Sequence, residues 1–434
     1  MRNSAQRFIA LAAAVSLLAT PALATWSILL ADRDTGEMAI GSATCIQNIN
    51  LKKTLAVIRP GYGVAAAQAL IDSSGMNRLR IWNELESQTD PNAILALLAA
   101  GDSNHQSRQY GIVDIRGRVA TFSGAANGAY ANNIQGRIGS LTYSIQGNVI
   151  TGQPVLDMAL AAIENTPGGI PEKFMAAMEA AYLMGGDGRC SCGPQADACG
   201  SPPPSFTKSA HVGFMVVVRR GDESRATCEP GTSCARGVYY MDLNVSGRDT
   251  DPDPVLTLRE MFDQWRIDLA GVPDAIESQV SVMPDRAFND GETATLRIEL
   301  RDWQGLLATE IQSVAVEHDP QGSAGSSALG PLTDLGGGVY TVDLTPGGAA
   351  AGVDRFMITV TNADGTSEIL LPAPILRVQD VRADLNFDGA VDLLDLEIVL
   401  KAFGLSAAGD TDDDDDTDLL DLATVLNSFA DAAG

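Results

Sequence analysis

Basic residues are scarce in this chain: 29 lysines and arginines stand against 55 aspartates and glutamates, a formal charge of −26 over 434 residues. So acidic a surface lacks the positive footprint that a phosphate backbone demands, which excludes nucleic acid as a partner. Histidine is scarcer still. His105, His211 and His318 have no ligand or triad partners at recognisable spacing, so neither a histidine metal centre nor a Ser-His-Asp triad finds support. No GxGxxG or P-loop sequence occurs, which removes the case for nucleotide binding. Beyond residue 24 no apolar run is long enough to cross a bilayer, so no membrane span is expected.

The conspicuous apolar run lies at the start. Arg2 and Arg7 precede Phe8 to Leu18, and Ala22 and Ala24 supply the small-x-small pattern of a cleavage site. Residues 1–24 therefore read as a secretory signal, placing the protein outside the cell or on its surface, with the periplasm also compatible. Cleavage after Ala24 leaves Thr25 first, followed by the strand-like Trp26-Ser27-Ile28-Leu29-Leu30. A terminal threonine joins a hydroxyl to an α-amine of pKa about 8, which can take up the hydroxyl proton and activate the oxygen as a nucleophile. The plainer reading is that some residue must follow every cleavage site.

Export makes six cysteines disulfide candidates. Five of them, Cys190, Cys192, Cys199, Cys228 and Cys234, cluster; if all six are oxidised, one of these must bond Cys45. Zinc is the alternative, though Cys190-x-Cys192 lacks the usual ligand spacing.

In chain order, strands are expected over 25–31 and 37–44, a helix over 64–71, and a second helix opened by Asp90-Pro91 and closed by Gly101. Strands over 109–115, 118–122 and 141–150 follow, then helices over 154–164 and 171–184. Strands return over 211–219 and 238–245 before a helix over 256–269. Strands, helices and strands again fit layers with central sheets between helices, not a regular βαβ alternation.

Thr25-Trp26-Ser27-Ile28, Gly41-Ser42, Gly63 to Gln68, Arg108-Gln109-Tyr110-Gly111, Gln146-Gly147-Asn148 and Gly185-Gly186-Asp187-Gly188-Arg189 fall in one order. This combination resembles the DUF1028 family, placed among the N-terminal nucleophile (Ntn) hydrolases. The resemblance implies a four-layer αββα fold over residues 25–270, with Thr25 as nucleophile on an amide bond and no cofactor. The substrate would then be a small-molecule or peptide-like amide. Asn148 is the candidate oxyanion donor; a strand-end turn is its plainer role. Asp187 and Arg189 are placed to orient the terminal amine or bind a substrate carboxylate, or else form a helix stop and a salt-bridged loop. Arg108-Gln109 is a candidate substrate contact, against a surface loop entering a strand. Cys190 replaces the glycine usual after the Arg189 motif.

Residues 276–379 read as short strands bounded by turns, an immunoglobulin-like sandwich whose default role is that of a spacer. Residues 380–431 hold half of the net charge, with 15 acidic residues and two basic ones between Asp380 and the end. Asp384, Asn386, Asp388, Ala390, Asp392 and Asp395 occupy positions 1, 3, 5, 7, 9 and 12 of a calcium loop, with Gly389 at the turn. Asp410, Asp412, Asp414, Asp416, Asp418 and Asp421 repeat the pattern, with Asp415 where glycine belongs. Helices are expected over 396–403 and 422–429. The tandem loops resemble a type I dockerin, implying Ca2+ as cofactor, a small all-α module, and a cohesin-type or other cell-surface partner. Leu393-Leu394 and Leu419-Leu420 replace the Ser/Thr pairs of cellulosomal dockerins, and can pack the half-motifs together or against the sandwich.

Two functions follow: an exported amide hydrolase with a calcium-folded attachment tail, or a non-catalytic extracellular binding or scaffold protein. Through the dockerin resemblance, the second carries a link to polysaccharide degradation.

Overall fold

A computed structural model describes residues 25–431 except 194, 225–227, 229–230, 289–292, 321, 324–326, 347–351, 380–381, 387, 389 and 413. The expected leader and the turn glycine Gly389 thus lie outside the described residues.

Strands β1 (Thr25–Asp32) and β2 (Met38–Thr44) form the expected hairpin. All of β2, and β1 up to Ala31, is buried, as continuous apolar runs require of strands covered on both faces. A short helix α1 (Leu51–Leu55) leads into β3 (Ala56–Arg59) and β4 (Gly63–Ala69). Helices α2 (Met76–Glu86) and α3 (Pro91–Gly101) precede β5 (Arg108–Asp114) and β6 (Val119–Ser123), and β3 to β6 make one antiparallel sheet. The other sheet has six strands. There β8 (Leu141–Asn148) pairs with β1 and carries β7 (Asn132–Ile138) at its edge, while β9 (Val212–Val218) joins β2 to the edge strand Met241–Ser246.

Alternation along β1 divides the core. Trp26, Ile28 and Leu30 pack with Leu156 of α4 (Pro154–Asn165) and with Phe174 and Met178 of α5 (Ile170–Leu183). Leu29 and Ala31 face the other way, packing with Ile58, Val64 and Val113 of the four-stranded sheet. That sheet's outer face, through Ala65, Tyr110 and Ile112, is covered by Ile81, Trp82 and Leu98 of α2 and α3. A helix over Pro254–Asp268, capped by Asp253, closes this part of the chain.

The helix expected over 64–71 is instead strand β4. Its alanines favour a helix in isolation, but β4 pairs on both edges, with β3 and β5, and lies between two packed layers where small side chains are needed. Helix α2 escapes sequence reading because its cap, Gly75 at φ +75°, makes no side-chain bond to the first turn.

Residues 279–379 form two antiparallel-rich sheets around Leu296, Ile298, Leu344, Phe356, Ile358 and Val360. Arg219 and Arg220 join this sandwich to the first domain, Arg220 through Asp319 (2.8 Å). Arg219, just after β9, bonds Glu37 (2.8 Å), Asp274 (3.1 Å) and Glu368 of the sandwich (3.0 Å), and its guanidinium carbon lies 3.4 Å from the Tyr240 ring centroid. Trp303 Nε1 adds a hydrogen bond to the Arg266 carbonyl oxygen (2.8 Å).

In the tail, helices run over Leu393–Ala402 and Leu419–Asp431, earlier starts than expected. Asp392 caps the first through a reciprocal box with Asp395. Val399 and Val425 pack the two halves together. The leucine pairs do not: Leu393, Leu394, Leu419 and Leu420 are 73, 54, 69 and 61% exposed. They sit in the outward-facing first helical turn, while Asp395 and Asp421 turn inward and are buried.

Burial pushes Glu368 up to about 7 against the pull of Arg219, and burial also raises Glu37. A carboxyl raised on folding contributes stability that is full below its unfolded pKa and lost as pH rises through its folded one. Denaturation midpoints should therefore fall between about pH 5 and pH 7.5, and Glu368→Gln should flatten that slope. An equal slope in the variant would assign the titration elsewhere.

Candidate functional site

Thr25 opens β1 opposite Asn148, the last residue of β8, and Trp26 pairs with Ala43, so Thr44 lies at the same end of the sheet. By strand alternation Thr25 shares the face of Ser27 and Leu29, toward the four-stranded sheet. Gln68 Nε2, from β4, donates to the Thr25 carbonyl oxygen (3.0 Å) and to Gln109 Oε1 (2.7 Å), while Ser27 Oγ donates to Gln68 Oε1 (2.5 Å). Gln109 Nε2 in turn reaches the Gly147 carbonyl (2.9 Å) and Ser123 Oγ (2.7 Å). Ser42 Oγ donates to the Trp26 carbonyl (2.7 Å). These side chains belong to five different strands, and Ser27, Ser42, Gln68 and Gln109 are all buried. A buried network of this kind fixes one geometry because each unmet partner is costly.

Two strained residues flank the place. Ala69, directly after Gln68, has φ +67°, and Val149, directly after Asn148, has φ +53°. Left-handed backbone is unusual for alanine and an outlier for a β-branched valine, at a cost of about 1–3 kcal/mol each. Such strain concentrates at functional sites.

Asp187, wholly buried, accepts from the Cys45 backbone N–H (2.6 Å), from the Arg189 N–H (3.1 Å) and from Arg189 Nη2 (2.8 Å). Arg189 Nη2 also lies 3.4 Å from Thr44 Oγ1. The disulfide Cys45–Cys190 staples this loop to the end of β2. Asp187, Arg189, Asn148 and Thr25 thus converge on one end of the six-stranded sheet. Gly188 is obligatory here, since a Cβ would come within 1.9 Å of the Ala196 carbonyl oxygen. The remaining cysteines pair locally, Cys192–Cys199 and Cys228–Cys234, in place of a zinc site.

Arg108 stands apart. It is buried on the opposite face of β5 from Gln109, with Nε on Asp102 (2.8 Å) and Nη1 on the Leu70 carbonyl oxygen. Burial works against the ionised Asp102, but hydrogen bonds from Arg108 and Asn77 hold its pKa below the ordinary value. Thr25 itself is 2% exposed in the uncleaved chain, where its nitrogen is still an amide. Gln68, Ser27 and Ser42 carry no site role in the sequence reading, and Gln109 enters it only beside Arg108 as a candidate substrate contact. Their signal was a polar residue at an inward position of an otherwise apolar strand.

In the second tail loop, carboxylate oxygens of Asp410, Asp412 and Asp414 lie within 4.8 Å of one another, as do those of Asp416, Asp418 and Asp421. Asp415 has φ +69°, the left-handed turn that glycine makes in such loops. In the first loop Asp384 and Asp395 are buried, and Asp395 accepts from the Leu385 and Asp392 N–H groups. The donors are all hard oxygens, a set that fits calcium rather than a thiophilic metal.

Residues 25–198 match the family model DUF1028, described as a family of unknown function. No curated protein matches. Among solved structures, a DUF1028 protein of Silicibacter pomeroyi is 17% identical, with TM-score 0.41, covering 56% of this chain and 88% of its own. The Escherichia coli adhesin FdeC is 13% identical with TM-score 0.21 (82% of this chain, 63% of that one). Invasin, a bacterial integrin-binding protein, is 11% identical with TM-score 0.20 (83% and 54%). Among the described residues no helix is long and apolar enough to cross a membrane.

Gln68→Leu should destabilise the protein by roughly 3 kcal/mol, because it leaves the Thr25 carbonyl, the Ser27 hydroxyl and Gln109 Oε1 without this partner in the interior. Urea denaturation measures it; a loss within error would mean that the network relaxes freely.

Proposed function

We propose that the chain is an exported amide hydrolase of Ntn type, activated by leader removal, with a calcium-folded tail for attachment. The observation that carries this reading is the position of Thr25. It is the residue that follows the small-x-small site, it opens the family match, and it heads a central strand beside strained Val149. The layering of helices outside two stacked sheets supports an Ntn-like αββα architecture.

The mechanism follows from the atoms that cleavage releases. The free amine of Thr25, with pKa about 8, takes the hydroxyl proton as Oγ1 attacks the substrate carbonyl. The Asn148 side chain, opposite Thr25 in register, donates to the oxyanion that forms. The ammonium returns its proton to the leaving amine, and water then hydrolyses the threonyl ester. Arg189 offers its charge to a substrate carboxylate. Asp187, its oxygens engaged by Arg189 and by the Cys45 N–H, acts by holding that loop in place. Arg108, committed to Asp102, serves the fold of the site's margin.

Ca2+ would be held by Asp384, Asn386, Asp388, the Ala390 carbonyl, Asp392 and Asp395, and by Asp410, Asp412, Asp414, the Asp416 carbonyl, Asp418 and Asp421. The ion supplies the positive charge that these crowded carboxylates lack. The exposed leucine pairs favour a protein partner for the tail, of cohesin type or another cell-surface kind.

Mass spectrometry of the secreted protein should show Thr25 as the first residue. In an amide-substrate screen Thr25→Ala should lower turnover at least a thousandfold, with Thr25→Ser retaining part of it. A different N-terminus, or an unaffected Thr25→Ala, would leave the scaffold reading. Calcium should increase helical circular dichroism in residues 381–431, and Asp395→Ala with Asp421→Ala should abolish the increase. An unchanged spectrum on calcium addition would refute ion-dependent folding.

A further inference from the structure

On a chain with so few cations, three of them line one cleft without a carboxylate partner. The cleft runs between α1, the start of α2 and the segment 231–237. Its outer parts enclose about 530 and 450 Å3 and share Asn50, Lys53, Gly231 and Thr232. Lys53 and Arg78 line the inner part, and Lys53 and Arg236 the outer. Among the described residues none of these three forms an ion pair. Lys52, also on the wall, is neutralised by Asp242.

Arg78 is the decisive group. It is only 7% exposed, yet its one protein hydrogen bond runs from Nη1 to the Lys53 carbonyl oxygen, leaving Nε and Nη2 for another acceptor. Burial lowers its pKa, partly offset by Asp72. Asp72 is the acidic group on this wall, and its oxygens are turned to its own loop, accepting from Ser74 N–H, Ser74 Oγ and Asn77 N–H. With no carboxylate bonded to it, this guanidinium presents N–H groups to an anion entering the cleft. On the wall that faces it, Cys234 pairs with Val57 of β3 and a disulfide joins Cys228 to Cys234.

We propose that this cleft binds a small oxyanion, the carboxylate or phosphate group of an acidic ligand, in the fork of Arg78 with Lys53 and Arg236 at its mouth. The planar guanidinium suits two parallel hydrogen bonds to such a group, and the lysine and outer arginine supply flexible charge. A separate cavity of about 10 Å3 shares Thr54, Ile71, Asp72 and Arg78 with the cleft and is also lined by Gln68, the residue bonded to the Thr25 carbonyl. An occupant would thus sit beside the Thr25 network without requiring Thr25 chemistry.

Isothermal titration of the secreted full-length protein with glutarate, and separately with inorganic phosphate, tests this. At least one should bind, at least tenfold more weakly in Arg78→Gln and three- to tenfold more weakly in the surface double variant Lys53→Gln/Arg236→Gln. Glutarate binding identifies a carboxylate ligand; phosphate binding alone identifies a phosphate monoester. Absence of binding by both anions overturns the proposal, as does binding that the surface double variant leaves unchanged. Thr25→Ala should bind as the wild type does, so a failed hydrolase reading and a failed anion site give different results.

Discussion

The first domain depends on a hydrogen-bond network where apolar packing would ordinarily be expected. Gln68 reaches across from one sheet to the backbone of β1 in the other, and Gln109 does the same toward β8. Hydrophobic burial stacks the two sheets but is nearly indifferent to small slides between them. Directional bonds from buried amides are not, since every displacement leaves a donor unmet. The register that sets Thr25 opposite Asn148 is therefore held from the side as well as along the strands. Strain at Ala69 and Val149 can persist because this network over-determines their neighbours.

A second constraint acts at the domain boundary. Arg219 gathers three carboxylates, one from its own domain, one from the segment that follows it and one from the sandwich, and a tyrosine ring covers its face. Burial of Glu368 and Glu37 raises their proton affinity against the pull of this guanidinium, with the Asp274 charge adding to the rise. The sandwich is thereby attached through a contact whose charge balance changes with pH, while its own core, built on Phe356 and Ile358, does not titrate.

Much of this was legible in the amino-acid order. The hairpin at 25–44, the capped helix from Pro91 and the helices over 154–183 follow from apolar runs, proline and glycine. Asp415 was the one residue in the second tail loop required to adopt a left-handed backbone without being glycine, and it does so. The misreading of β4 has a plain cause: alanine reports helix propensity locally, whereas the space between two sheets selects for its size. The inward polar network was harder to see. A glutamine in a strand looks the same in sequence whether it meets water or a partner forty residues away. The tail leucines show the converse, since apolar residues beside buried aspartates turned out to face solvent.

The staple between Cys45 and Cys190 spans 145 residues of sequence. In the chain-entropy view a closure of that length restricts the unfolded ensemble by about 5 kcal/mol. On the proposed reading, two covalent events complete the Thr25 end: loss of the leader and oxidation of this pair. Both belong to the far side of the exporting membrane. On that reading a copy retained in a reducing cytoplasm would have neither, and location alone would keep the Thr25 end incomplete inside the cell.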